Sequence, residues 1–183
     1  MSRSTAHGEE GLSSPKGVSK PRLEPRLFLD CDGVLADFDA GARQLFGIAP
    51  DRFQARHGSR EFWKRIAAAE NFYGSLAEMP DARILFDGVK HLQPTILTGL
   101  PLGSWAAPQK VAWAAEHFPG VPIITCMGRD KHKHMKPGDV LVDDRENHRS
   151  AYEAAGVVFV HHKSARQSLE ALARIYPSVS VPV

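Results

Sequence analysis

The sequence has few cysteines, no long apolar run and almost no net charge. Its two cysteines, Cys31 and Cys126, cannot form a disulfide framework, and they indicate a reducing compartment. No apolar run approaches the roughly 20 residues of a membrane-spanning helix. The first residues also lack the apolar stretch of a secretory signal peptide. These absences argue against membrane-spanning and disulfide-rich classes, and we expect a cytoplasmic protein.

The charge balance argues against extended nucleic-acid binding. The 183 residues include 23 Lys and Arg against 21 Asp and Glu, which leaves a net charge of +2. Extended contact with nucleic acid requires a basic face or stripe, and the sequence shows none. With 43% hydrophobic and 24% charged residues, the composition is that of an ordinary globular domain. The sequence contains no signal that sets the oligomeric state.

Five short apolar runs predict the strands of one sheet. They lie at 27–29, 95–98, 121–125, 139–143 and 156–160. The runs are continuous rather than alternating, as expected for strands that are covered on both faces of a parallel sheet. Helical patterns separate them at 82–92, 104–118, 148–155 and 164–175. Strand and helix therefore alternate, which predicts an α/β fold with a doubly wound, Rossmann-like parallel sheet and right-handed crossovers.

The interval between the first two strands is too long for a simple crossover. It spans about 60 residues and contains helical patterns at 39–46 and 60–70, with Asp37 as a helix cap. We interpret 38–79 as an inserted helical cap on a core formed by 26–37 and 80–176. Residues 1–25 are polar and are expected to be a disordered tail, and 177–183 form a C-terminal tail.

The predicted strand ends carry an unusual set of polar residues. In open parallel sheets, functional residues gather where the strands end. These ends and the following loops carry Asp30, Asp32, Thr98, Gly99, Lys131, Lys133, Asp143 and Asp144. Four carboxylates at one edge repel each other strongly unless a cation lies between them. Oxygen ligands of this kind suit Mg²⁺, which prefers a few carboxylates, waters and a substrate phosphate.

These residues resemble the motifs of the haloacid-dehalogenase (HAD) superfamily of phosphatases. The motif D-x-D-G-[VT] is present at 30–34, Thr98 ends the second strand, a lysine follows the third, and an acidic pair ends the fourth. Their order and strand placement agree with the superfamily over about residues 26–175. The string DCDGVLADF at 30–38 and the string LVDDR at 141–145 resemble the 5′(3′)-deoxyribonucleotidase branch.

The resemblance implies a mechanism. Asp30 would be the nucleophile that forms an aspartyl-phosphate, and Asp32 would be the general acid and then the base that activates water. Mg²⁺ would be held by the Asp30 carboxylate, the Asp32 backbone carbonyl and Asp143, with Asp144 orienting metal-bound waters. We therefore expect a Mg²⁺-dependent phosphomonoesterase.

A hydroxyl, a backbone amide and a lysine would bind the phosphate. Thr98 and the Gly99 amide would bind phosphate oxygens. The lysine that ties Asp30 to the phosphate has two candidates. Lys131 matches the Arg-Asp-Lys string of the branch and is favoured, whereas Lys133 matches the branch's distance to the acidic pair. Lys110 would be a further phosphate or cap contact.

Aromatic residues of the predicted cap offer surfaces for a nucleobase. Stacking on a base is worth about 1–3 kcal/mol. Aromatic side chains in a small cap usually form its own core, and among them Phe38 and Trp63 have the best claim to touch substrate. The expected substrate is thus a small phosphorylated molecule, a nucleoside monophosphate.

Two other functions stay open. A sugar phosphate or another small metabolite could be the substrate, because the cap is shorter than in the branch and Gly99 stands where the branch usually has Ser. A phosphate-sensing module without turnover would also use an acidic pair, a Thr and a Lys. In receiver modules, however, the acidic pair follows the first strand, and here it follows the fourth, which disfavours that function.

Overall fold

A computed structural model describes residues 25–181 of the chain. Its five strands are β1 (Leu27–Leu29), β2 (Thr95–Leu100), β3 (Ile123–Met127), β4 (Val140–Asp143) and β5 (Val158–His161). They form one sheet in the order β3-β2-β1-β4-β5, and every neighbouring pair is parallel. The predicted Rossmann-like α/β fold is confirmed.

Six α-helices connect and cover the strands. They are α1 (Phe38–Phe46), α2 (Pro50–Ala68), α3 (Ala82–Val89), α4 (Ala106–His117), α5 (Arg149–Ala154) and α6 (Ala165–Ala173). Short 3-10 helices lie at Tyr73–Ser75, Lys90–Leu92 and Gly128–His134. No helix within residues 25–181 is long and apolar enough to cross a membrane.

The sheet separates two hydrophobic cores, which explains its continuous apolar strands. Successive side chains of a strand point to opposite faces. Leu27 and Leu29 of β1 accordingly pack in one cluster, while Phe28 packs in the other with Leu141 and Tyr152. Both faces of β1 are therefore buried, as the apolar run predicts.

The segment between β1 and β2 contains α1 and α2. Asp37 caps α1 as predicted, because its carboxylate accepts a hydrogen bond of 2.9 Å from the Ala40 amide. The prediction of a second helix at 60–70 was too short at its start, since α2 begins at Pro50 and kinks at Gly58. Stacking of Phe53 on Phe46, with ring centroids 4.1 Å apart, anchors the part that was missed.

Hydrogen bonds hold this inserted segment against the core. The Asp37 amide donates to the Ala77 carbonyl and the Met79 amide donates to the Leu35 carbonyl, each at 2.8 Å. The side chain of Trp113 in α4 donates to the Leu76 carbonyl at 2.8 Å. The segment is thereby placed beside the carboxyl end of the sheet. The cap bounds of 38–79 stay a prediction.

The predicted N-terminal tail lies almost entirely outside the described part of the chain, and most of the predicted C-terminal tail lies within it. Of residues 1–25, only Pro25 is described, and its carbonyl accepts a hydrogen bond of 3.0 Å from the Tyr176 hydroxyl. Of residues 177–183, the first five are described, and Val179 among them is buried in the core.

Candidate active site

Three carboxylates meet at the carboxyl end of the sheet. Strands β1 and β4 are neighbours, so Asp30, which follows β1, lies beside Asp143 and Asp144 at the end of β4. One oxygen of each of these three side chains lies within 4.8 Å of the others. We call Asp30, Asp143 and Asp144 the carboxylate triad. Asp30 and Asp143 are buried, and Asp144 is half-buried.

Gly33 allows the acidic pair to approach the first loop. Its φ is +76°, a conformation that L side chains rarely adopt. A Cβ atom at this position would also lie 2.3 Å from Oδ2 of Asp144. Glycine is therefore required here both for the backbone turn and for the position of Asp144.

Lys131 bridges two members of the triad. Its Nζ lies 2.9 Å from Oδ1 of Asp30 and 2.7 Å from Oδ2 of Asp143. Burial disfavours the charged ammonium, but the two carboxylates outweigh that effect and raise the pKa of Lys131. This lysine can hold the nucleophile candidate in place and present positive charge to a bound phosphate.

Lys133, the other candidate lysine, does not reach the site. Its side chain is 63% exposed, and its Nζ pairs with Asp130 at 2.7 Å. Both lysines belong to the 3-10 helix Gly128–His134, and only Lys131 of the two is turned into the protein. The inclusion of Lys133 among the phosphate-binding candidates therefore has no support in this geometry.

A second cluster of polar side chains surrounds Lys110 of α4. Its side chain is 1% exposed, and Nζ donates to Oδ2 of Asp32 at 2.6 Å and to Oγ1 of Thr98 at 2.9 Å. The ammonium also lies 4.3 Å from the centre of the Tyr73 ring. Lys110, expected as a phosphate or cap contact, thus joins the candidate acid to the candidate phosphate-binding hydroxyl.

The Asp32 carboxylate lies outside the triad because it pairs with Lys110. Burial raises the pKa of Asp32, an effect that the ammonium of Lys110 partly opposes. A carboxyl group with a raised pKa can carry a proton to a leaving group. The metal contact expected from its backbone carbonyl stays a prediction.

The triad has the properties of a cation site. Burial, with the negative charge of Asp30 beside it, raises the pKa of Asp144 to about 7 and also raises that of Asp143. Oδ1 of Asp144 is buried and has no hydrogen-bond partner among residues 25–181. A divalent cation would satisfy this oxygen and relieve the repulsion among the three carboxylates, so the residues fit a metal ion with oxygen ligands.

A cavity of about 180 Å³ opens onto these groups. Asp30, Asp32, Gly99, Lys131 and Asp143 form its polar wall, and the inserted segment contributes Phe38, Trp63 and Tyr73. Both aromatic residues predicted to touch substrate therefore line the cavity. Phe62 and Phe72 are buried behind them in the same aromatic cluster and do not line it.

Sequence reasoning missed part of the cavity wall. The residues not predicted are Leu100, Pro101, Gly128, Arg145, Asn147, His148 and Tyr152. Most lie in the loops that follow β2, β3 and β4, where functional side chains are expected in such a sheet. For Arg145, its position directly after the acidic pair was the one sequence signal of a role in the site. The rest of the loop 145–148 could not be predicted, because a loop carries no periodic pattern.

Known proteins resemble both the sequence and the fold. Residues 24–175 match the sequence model of the family described as "5' nucleotidase, deoxy (Pyrimidine), cytosolic type C protein". The human mitochondrial 5'(3')-deoxyribonucleotidase is 29% identical over 160 residues, which cover 75% of this chain and 69% of that protein. The corresponding mouse protein is 30% identical over 142 residues, covering 66% and 64%. The chain thus spans about two thirds of these relatives.

A crystal structure of an L-2-haloacid dehalogenase shares the fold. It aligns with a TM-score of 0.50 at 12% identity, covering 79% of this chain and 86% of that one. At this identity the likeness concerns the fold alone. The relatives' names specify the mitochondrion and the family description the cytosol, so a cytoplasmic location for this chain stays a prediction.

The family match extends over most of the chain and includes every residue of the carboxylate triad. The HAD-like sheet order and the acidic residues at its carboxyl end agree with that match. The chain therefore belongs to the cytosolic type C family of 5′(3′)-deoxyribonucleotidases within the HAD superfamily, a family of phosphoric monoester hydrolases.

Proposed function

We propose that this chain is a Mg²⁺-dependent phosphatase of deoxynucleoside monophosphates that works through an aspartyl-phosphate on Asp30. The observation that carries the proposal is the position of Asp30. Its carboxylate belongs to the triad, contacts Lys131 at 2.9 Å and lies at the polar wall of the cavity. A carboxylate so placed can attack a phosphorus atom while neighbouring positive charge offsets the repulsion between two anions.

Asp30, Asp143 and Asp144 would hold the metal ion. When bound, Mg²⁺ supplies charge neutralisation for the phosphate dianion and for the charge that develops as the ester bond breaks. Lys131 shares this role from the protein side, because it contacts both Asp30 and Asp143.

In the first step, an oxygen of Asp30 forms a bond to phosphorus, and the bond between phosphorus and the ester oxygen breaks. Asp32 in its protonated form gives its proton to that departing oxygen, which leaves as an alcohol. Lys110 positions the Asp32 carboxyl by a hydrogen bond of 2.6 Å.

In the second step, water attacks phosphorus and the bond between phosphorus and Asp30 breaks. The Asp32 carboxylate takes the proton from the water, so that inorganic phosphate is released and both aspartates return to their starting states. General acid and base catalysis of this kind typically contributes about 10²–10⁴-fold in rate.

Thr98 and the Gly99 amide would bind the phosphate oxygens that do not react. Thr98 is fully buried and does not line the cavity, and its Oγ1 accepts a hydrogen bond from Lys110; its hydroxyl hydrogen stays the proposed donor to a phosphate oxygen. Phe38 and Trp63 would form the apolar side of the cavity against the nucleoside. Trp63 would offer its ring as a stacking surface for a base, which favours a nucleotide over a simple sugar phosphate.

The proposal is tested by phosphate release with Mg²⁺ from 5′- and 3′-deoxynucleoside monophosphates, ribonucleotides, sugar phosphates and an aryl phosphate. We expect the highest kcat/KM on deoxynucleotides and a loss of at least about 10³-fold in Asp30→Asn. Turnover confined to sugar phosphates would retain the mechanism and overturn the nucleotide assignment. Full activity of Asp30→Asn would overturn the mechanism.

A further inference from the structure

A second, larger cavity adjoins the catalytic one. Its volume is about 830 Å³, and it lies against α1 and the start of α2. The two cavities share four lining residues, Phe38, Trp63, Arg145 and Asn147. The two cavities therefore adjoin at Trp63, and a molecule held at Asp30 that extends past this side chain would enter the second cavity.

Guanidinium groups distinguish the second cavity. Arg43 of α1, Arg52 of α2 and Arg145 line it. Neither Arg43 nor Arg52 forms an ion pair within the part of the chain that the structure describes, residues 25–181. Arg145 lies 3.9 Å from Oδ2 of Asp144, at the border with the catalytic cavity. Three solvent-exposed arginines thus line one space with few ion-pair partners of their own.

The second cavity is lined by fewer acidic residues than arginines. Asp39 and Asp51 also line it, and Oδ1 of Asp51 accepts a hydrogen bond from the backbone amide of Arg52. The charged side chains therefore favour an anion over a cation. Arginine suits phosphate in particular, because its planar fork donates two parallel hydrogen bonds to a pair of phosphate oxygens.

The volumes of the two cavities also support a substrate that extends into the second one. Pockets that enclose a small organic ligand usually measure about 300–1,000 Å³. The catalytic cavity, at about 180 Å³, is smaller than this range, and the second, at about 830 Å³, lies within it. The second cavity therefore offers room for the part of a substrate that is remote from the reacting phosphate.

We propose that the cavity lined by Arg43, Arg52 and Arg145 binds a second phosphate group of the substrate, so that the preferred substrates are nucleoside bisphosphates. The proposal rests on the proposed function, since it assumes that the first phosphate binds at Asp30. The aromatic residues at the border hold the nucleoside, and the guanidinium groups beyond them bind the remote phosphate.

The direct test compares a 2′-deoxynucleoside 3′,5′-bisphosphate with the 5′- and 3′-monophosphates of the same nucleoside. In the native chain with Mg²⁺, we expect kcat/KM to be roughly 5–10-fold higher for the bisphosphate, as partly exposed charge-assisted contacts allow. The double variant Arg43→Gln/Arg52→Gln should abolish this preference. Arg60→Gln, an exposed arginine of α2 outside the cavity, is the matched control and should retain it.

Binding measured without turnover separates this proposal from the catalytic one. In the Asp30→Asn background, titration calorimetry should show the bisphosphate binding roughly 5–10-fold more tightly than the monophosphates, and added salt should reduce the difference. Equal affinities, or a preference that survives the double variant, would overturn the second phosphate site. Absence of hydrolysis by the native chain, together with an arginine-dependent preference in binding, would overturn the catalytic proposal and leave the second phosphate site standing.

Discussion

Lys110 and Asp32 form an ion pair of 2.6 Å between a fully buried ammonium and a carboxylate at the cavity wall. The lysine comes from α4 and the aspartate from the loop after β1, so the pair joins two separate elements of the core. The same ammonium contacts Thr98. Since the proposed acid and the proposed phosphate ligand share one partner, removal of that partner should affect both.

We expect Lys110→Met to lower kcat by about 10²-fold or more, because Asp32 loses the group that orients it for proton transfer. The buried carboxylate also loses its counter-charge, so the free energy of unfolding should fall as well. Steady-state kinetics combined with thermal unfolding separates the two effects. Lys136→Met, at an exposed position, should leave both quantities near native, and a Lys110→Met enzyme with native kcat would contradict the role.

Lys131 and Lys133 provide a matched pair two residues apart. Lys131→Met removes the ammonium that contacts Asp30 and Asp143, and we expect kcat/KM to fall by about 10²–10³-fold, as for loss of a donor to developing charge. Lys133→Met removes only an exposed pair with Asp130 and should change kcat/KM less than about twofold. The reverse ranking in steady-state assays would show that the other lysine contacts the phosphate.

Trp63 and Phe62 are adjacent in sequence and differ in what they contact. Trp63 lines the cavity, so Trp63→Leu should raise KM for a nucleotide by roughly 5–100-fold, the range expected when one base loses its stacking partner. Phe62 is buried in the aromatic cluster and lines only the second cavity, so Phe62→Leu should lower Tm with little change in KM for a nucleoside monophosphate. An unchanged KM in Trp63→Leu would argue that the base does not lie against this side chain.

Metal binding should be visible in stability. A ligand that binds only the folded state stabilises it by about 2.7 kcal/mol at one hundred times its Kd. Mg²⁺ should therefore raise the Tm of the native chain in a concentration-dependent manner. Asp143→Asn removes one charge of the triad and should abolish most of this shift. A Tm that does not respond to Mg²⁺ in the native chain would contradict the metal site.

His162 should make stability depend on pH. It is buried, its Nδ1 lies 2.8 Å from Oγ of Ser168, and burial lowers its pKa below the ordinary 6.5. The folded state then binds fewer protons at His162 than the unfolded state between the two pKa values, so the contribution of His162 to the free energy of unfolding should fall as pH drops below about 6.5. The contribution of Asp144, whose pKa is raised to about 7, has the opposite sign. Each unit by which the pKa is lowered corresponds to about 1.4 kcal/mol.

Denaturant titrations at pH 7.5 and pH 5.5 measure this dependence. Relative to the native chain, His162→Asn, which cannot gain the proton, should lose less stability or gain more when the pH is lowered from 7.5 to 5.5. His134→Asn changes an exposed histidine and should retain the native difference. If both variants behave alike, other groups cause the pH dependence.

The sequence predicted the sheet and its acidic edge because both follow from local patterns. A continuous apolar run can be satisfied only by burial on both faces, and the ends of parallel strands share one edge of the sheet. The placement of Asp30, Asp143 and Asp144 at one edge follows from these two rules, and their meeting depends on the pairing of β1 with β4. Asp37 was likewise recognisable as a cap from its position before an apolar helical pattern.

Other parts of the site depend on packing that no local pattern encodes. A lysine in a helix usually lies at the surface, so the burial of Lys110 between Asp32 and Thr98 has no sequence signal. The Arg-Asp-Lys string favoured Lys131 over Lys133, but which of the two is buried depends on the rotation of the 3-10 helix that carries both. The first half of α2 was missed because its polar sequence buries only Phe53 before the kink at Gly58.

The covalent role of Asp30 is the central claim, and rapid-quench mass spectrometry tests it most directly. The native chain is mixed with Mg²⁺ and a deoxynucleoside monophosphate in a single turnover, quenched in acid, and digested for peptide mapping. We predict one phosphoryl group on the peptide that contains Asp30, rising and then decaying as phosphate is released, and absent from Asp30→Asn. Phosphate release by the native chain with no phosphorylated Asp30 peptide at any time would contradict the account.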